Sequence, residues 1–213
     1  MQAQFGVNAG YQVNQIDGWI IDLDGIESGI DGNGLSFGID YWFRLKNKRI
    51  EFQPELNYSS FKASTDPAVF DYNIELFSFY FNTNIYLLDL LNDCNCPTFS
   101  KQNNFFKKGF FIRISPGLTA PNFEFLNEQE REWGNLQPNL GLGVGIDIGI
   151  TDIVTLTPII TGRFMPQTKW LASFPGTPLD PNTGESINRV RQPDADIWQY
   201  NAGLRIGIRL DNW

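Results

Sequence analysis

Between Leu136 and Thr151 every second residue is apolar: Leu136, Pro138, Leu140, Leu142, Val144, Ile146, Ile148 and Ile150. The intervening set is Gln137, Asn139, Gly141, Gly143, Gly145, Asp147, Gly149 and Thr151, none of them a large apolar residue. A pleated strand shows this period of two when its faces meet different surroundings. Strands of soluble proteins usually stop after about five or six residues. A strand crossing a bilayer needs about nine to eleven. The length of the alternation predicts a membrane strand.

Seven other stretches carry related patterns. Residues 5–14 set Phe5, Val7, Ala9, Tyr11 and Val13 against Gly6, Asn8, Gly10, Gln12 and Asn14. Residues 198–210 set Trp198, Tyr200, Ala202, Leu204, Ile206, Ile208 and Leu210 against Gln199, Asn201, Gly203, Arg205, Gly207 and Arg209. Residues 35–45, 50–60 and 109–118 alternate likewise, and a further strand starts at Ile153. Residues 72–88 are apolar on both faces in places, so the strand phase across 72–90 is ambiguous. Pro54, Pro116, Pro138 and Pro158 fall inside these strands, where they are expected as local breaks or bulges because proline cannot donate to the ladder. Bulky aliphatics on one face suit lipid; glycine and charge on the other suit a narrow polar lumen. The predicted architecture is all-β: an eight-stranded antiparallel up-and-down transmembrane β-barrel forming a single domain over residues 1–213. The opening "MQAQ" is expected to be a tail or signal-peptide remnant close to a mature N-terminus.

Connections alternate in length. With both termini in the periplasm, "KNKR" and "TDI" are periplasmic turns, and residues 17–34, 63–71, 121–135 and 168–197 are outer loops. The exception is 91–108, long yet periplasmic. It combines Cys94 and Cys96 with Phe99, Phe105 and Phe106, and with Lys101, Lys107 and Lys108. Aromatics beside cations suit a partner-docking turn; they equally suit aromatics resting in inner-leaflet headgroups.

Composition narrows the chemistry. The chain has 16 basic and 24 acidic residues, a net charge of −8, which argues against nucleic acid as a partner. Mean hydropathy is negative, and no apolar run reaches the length of a membrane helix. Histidine is absent, which removes His-dependent triads and the usual zinc sets. With two cysteines spaced C-x-C and no further ligands beside them, no metal or cofactor is expected. Asp22, Asp24, Glu27 and Asp31 do not match EF-hand spacing. The glycines of 141–149 alternate and lack a following helix, so they read as lumen lining rather than a phosphate loop.

The inward positions carry Asp40, Glu51, Glu55 and Asp147 together with Arg44, Arg113, Arg163, Arg205 and Arg209. The signs nearly balance, and buried charge demands partners. A crosslinked lumen charge network is expected, filling a barrel too narrow for an open channel.

"IEFQPELNYSS" resembles the "lqPELxYs" segment of PorT-like outer-membrane β-barrels of Bacteroidota, and "AQFGVNAGYQVN" resembles their first strand. The terminal Trp213 after an alternating strand looks like a barrel-assembly signal. The resemblance covers the whole chain as a strand pattern, with its specific part at Phe52 to Ser59. It implies the outer membrane of a Gram-negative bacterium, contact with outer-membrane lipid, and protein partners in an envelope complex such as the type IX secretion or gliding apparatus. It carries no catalytic residues. The expected role is therefore a non-enzymatic structural or accessory barrel; the alternative is a small porin-like or ligand-binding barrel working through its outer loops.

Overall fold

The computed structural model describes residues 3–18, 20–23, 26–28, 31–45, 48–64, 71–87, 109–125, 131–151, 153–169, 190–192 and 194–209. They form thirteen strands: β1 (Ala3–Asp17), β2 (Ile20–Leu23), β3 (Ile26–Ser28), β4 (Asp31–Arg44), β5 (Ile50–Ser64), β6 (Asp71–Ile85), β7 (Phe110–Phe125), β8 (Arg131–Trp133), β9 (Gln137–Ile146), β10 (Ile148–Gly149), β11 (Val154–Lys169), β12 (Val190–Gln192) and β13 (Asp194–Arg209). Eight strand runs pair antiparallel with their sequence neighbours in the order β1, β4, β5, β6, β7, β9, β11, β13, and β13 pairs back onto β1. The sheet is thus a closed eight-stranded up-and-down barrel, as the alternation predicts. Closure removes every edge from the barrel wall.

Two short turns lie at the end expected to face the periplasm. Leu45 N donates to Ile50 O across residues 45–50, and Ile150 N donates to Val154 O across 150–154. Thr151 Oγ1 accepts from the amides of Ile153 and Val154, fixing the second turn. β10 continues β9 in the same register: Gly145 faces Ile159, and Ile148 faces Leu156.

The four prolines break hydrogen bonding on one side only. Pro54 keeps its partner Phe81, Pro116 keeps Leu140, Pro138 keeps Leu118, and Pro158 keeps Leu204. On the other side of Pro54 the register is unchanged across the gap, from Asp40↔Glu55 to Phe43↔Phe52. None of the four produces a bulge. The register shift lies elsewhere, between Met165 and Thr168, where Gln167 takes φ 50°.

Strands of 14 to 16 residues exceed what a bilayer requires. The excess lies at the outer end, and there the alternation inverts. On β13 the outward residues run Ile208, Ile206, Leu204, Ala202, Tyr200, Trp198 and then Asp196 and Asp194. Its inward residues are Arg205, Asn201 and Gln199, then Ile197 and Ala195. β6 changes from outward Phe81, Phe79 and Phe77 to Glu75 and Asn73, while inward Asn82, Tyr80 and Ser78 give way to Leu76 and Ile74. β1, β5 and β7 change in the same way, at Gln15, Ser60 and Asn122. From Trp198 to Ile208 the apolar face is about 33 Å long, or about 25 Å along the normal at a 40° tilt, matching the lipid band of outer-membrane barrels.

Aromatic rings mark both boundaries. Below, Phe5, Tyr41, Phe43, Phe52 and Phe81 form a chain of neighbours with centroids 5.1 to 6.2 Å apart. Above, Tyr58, Phe77 and Trp133 form one cluster and Phe164 with Trp198 another. Between them Ile39, Leu56, Leu142 and Ile160 stand about 60 % exposed, as befits contact with acyl chains rather than water. The outer loops are shorter than the sequence suggests, because β4, β7 and β13 each extend into them. β2, β3 and β12 form a separate small sheet that links the β1–β4 connection to the β11–β13 connection.

Candidate functional site

The lumen holds the charged chemistry, because glycine leaves room for it. A Cβ on Gly6 would stand 2.5 Å from Arg205 Nη2 and 2.6 Å from Asp40 Oδ1. A Cβ on Gly145 would run into the Phe111 ring. The small, polar side of the 136–151 alternation is thus the side on which neighbouring strands deliver their large side chains.

Three groupings of polar residues line the wall. In the first, Arg205 donates from Nε and Nη2 to the two oxygens of Asp40, at 2.8 and 2.6 Å, a bidentate buried ion pair. In the second, Arg113 donates to Asn84 Oδ1 at 2.8 Å and to Gln53 Oε1 at 2.5 Å, while Glu55 accepts from Asn82 at 2.7 Å and from Asn57 at 3.1 Å. Ser115 donates to Asn82 Oδ1, extending the chain. In the third, at the periplasmic end, the Tyr86 hydroxyl contacts both Glu51 and Asp147. Trp42 Nε1 donates to Glu51 at 2.5 Å, Thr157 donates to Asp147 at 2.5 Å, and the Arg49 guanidinium stacks on the Tyr86 ring at 4.4 Å.

Asp40, Glu51, Glu55, Arg113, Arg163 and Arg205 are buried as the alternation predicts, and Asp147 is half-buried. They do not all neutralise one another directly. Amides and hydroxyls hold Glu55, Arg113 and Asp147, and Arg163 lies over the Tyr80 ring at 4.1 Å. Neutral donors and acceptors satisfy a buried charge without requiring an opposite charge at the same height. Arg44 is half-buried at the periplasmic rim, opposite Glu51 in register. The backbone of Arg209 pairs with Gln4, and its side chain lies outside the described residues.

Sequence reasoning missed Arg49, Trp42, Tyr86 and the Gln53–Asn82–Asn84 amides. Arg49 falls in the predicted KNKR turn. Tyr86 lies on the strand of ambiguous phase. The amides carry no charge to draw attention, although they sit on the same inward faces as Glu51, Glu55 and Tyr80. The outer third of the lumen also departs from expectation. Phe61, Ile74, Leu76, Phe123, Met165 and Ile197 pack there, each 2 % exposed or less, into an apolar plug above the polar layers. The proposed docking turn, Cys94, Cys96, Phe99, Lys101, Phe105, Phe106, Lys107 and Lys108, lies outside the described residues.

Little space remains inside. Among the described residues, two lumen cavities measure about 10 and 20 Å³, a scale of water-sized guests rather than of a pore. Among the described residues no cluster of three or more Cys, Asp or Glu side chains could hold a metal.

No protein-family model matches the chain, and no curated protein matches its sequence. Solved structures resemble the chain, and at a TM-score of 0.50 the Neisserial protein shares its fold. Neisserial surface protein A is 12 % identical, with 95 % of this chain and 96 % of that one covered at a TM-score of 0.50. OprG from Pseudomonas aeruginosa is 12 % identical over 96 % and 95 %, at a TM-score of 0.45. Ail, the attachment invasion locus protein of Yersinia pestis, is 10 % identical over 96 % and 99 %, at 0.37. The chain has the fold of a small outer-membrane β-barrel, and its lipid-facing band and paired girdles agree with that setting.

Proposed function

We propose that this protein is a non-enzymatic barrel of the Gram-negative outer membrane, serving as an accessory subunit or anchor of a larger envelope complex. The observation that carries the reading is the filled lumen. Buried side chains occupy its polar layers, and an apolar plug closes its outer third. A barrel without a conduit works through the surfaces at its ends. The likeness of Phe52 to Ser59 to PorT-like barrels supports a type IX secretion or gliding apparatus as the class of machine, and the 91–108 turn supports docking on the periplasmic side.

Planar-bilayer recording tests the lumen: the folded barrel shows no steady conductance, and stable open-channel steps would overturn the reading. Replacing residues 93–104 by a short Asn-Gly turn tests the docking side. The shortened barrel stays heat-modifiable and loses the partner that co-purifies with the intact protein in mild detergent. A second reading, a ligand-binding barrel working through its outer loops, is favoured by the β2–β3–β12 sheet, which ties two outer connections together. Unchanged partner recovery from the shortened barrel would shift the assignment to those loops.

A further inference from the structure

The larger lumen cavity, about 20 Å³, lies between β1, β5, β7, β11 and β13, lined by Asn8, Glu55, Arg113, Thr161, Arg163 and Asn201 among others. Arg163 is 93 % buried, and its Nε has no hydrogen-bond partner among the described residues. The Tyr80 ring lies against its guanidinium at 4.1 Å, an attraction that leaves the in-plane N–H groups unused. A guanidinium has five donors and no acceptor. None of the polar groups lining the cavity bonds Arg163 Nε, and each Glu55 oxygen already receives an amide hydrogen, from Asn57 and from Asn82. Arg205 is matched by Asp40. That leaves Arg113 and Arg163 facing the cavity against Glu55 alone, a local excess of one positive charge in a setting where uncompensated charge is costly.

We propose that this cavity is a binding site for one monatomic anion of chloride size. The guest supplies the missing acceptor to Arg163 Nε and cancels the excess charge. The space is on the scale of a water-sized or halide-sized particle, which is the guest proposed. Its walls come from five strands, so the occupied site would tie together elements that are distant in sequence and stabilise the closed barrel by mass action.

Bromide is the probe. Crystals of the detergent-folded protein grown or soaked in sodium bromide should show an anomalous peak within hydrogen-bond distance of Arg163 Nε. In parallel, the unfolding midpoint is followed while chloride replaces gluconate at constant ionic strength. The midpoint should rise with chloride for the native protein and stay flat for Arg163→Gln. A water molecule in the cavity with no anomalous signal, or equal midpoints in chloride and gluconate, would overturn the proposal. If Arg163→Gln fails to fold, the anomalous experiment on the native chain decides alone. A missing halide would leave the accessory-barrel reading untouched, since that rests on conductance and partner recovery.

Discussion

At the scale of single residues, the lumen sets strict conditions. Arg205 and Asp40 are both almost fully buried and hold each other through two hydrogen bonds. Removing one partner strands the other charge in a low-dielectric interior, which typically costs about 3–5 kcal/mol. Asp40→Ala should therefore lower the urea midpoint of the vesicle-embedded barrel by a matching amount. The double variant Asp40→Leu with Arg205→Met should recover most of the loss, because no charge is left unpaired. A double variant as unstable as the single one would show that packing around Gly6, not charge, sets the cost.

At the scale of the strand, the inversion of the alternation is the governing feature. Below it the outward side chains meet lipid; above it they meet water and one another. Tyr58 donates to Glu75 at 2.7 Å, Asn122 donates to the other Glu75 oxygen at 2.8 Å, and Ser60 donates to Asn73 at 2.9 Å. These groups form a polar collar directly above the outer aromatic cluster. A charge on the lipid face should be punished and a charge on the collar tolerated. Leu142→Arg, at a position 62 % exposed to lipid, is expected to cost about 2–4 kcal/mol in vesicle refolding. Gln15→Arg, outward on β1 above the change of phase, should stay within about 0.5 kcal/mol. Equal costs at both positions would remove the boundary from where the inversion sets it.

At the scale of the whole molecule, the collar and the apolar plug make one unit. The strands rise past the outer leaflet and close over a small water-type core of Phe61, Ile74, Leu76, Phe123 and Ile197, so the barrel is sealed from above. The seal predicts the labelling pattern of intact cells. In a chain with Cys94 and Cys96 replaced by serine, cysteine at Gln15 or Asn33 should react with a membrane-impermeant maleimide added outside. Cysteine at Leu56 or Ile206 should not. Labelling at Leu56 would mean that the membrane sits lower on the barrel than the aromatic clusters indicate.

The eight strands, their order and the lipid-facing phase of most of them were legible in the sequence alone. A period of two over ten or more residues has few physical solutions, and short turns force sequential strands to pair. The inward charges were legible for the same reason: Asp40, Glu51, Glu55, Arg113, Arg163 and Arg205 each fall on the polar phase of a clear alternation. The strand at 72–88 resisted reading because its phase inverts within it. Leu76 faces the plug and Phe77 faces the boundary, so neighbouring apolar residues point opposite ways, and no single period fits both. Tertiary structure alone decided which charges meet. Asp40 and Arg205 are 165 positions apart, and they are joined only because closure sets β13 beside β1 and β1 beside β4. Pairing of β5 with β6 likewise sets Arg49, a turn residue by sequence, beside Tyr86 as a buried cation over its ring. Strand pattern is a local consequence of solvent on two faces, whereas lumen pairing depends on how the closed sheet aligns its strands across the interior.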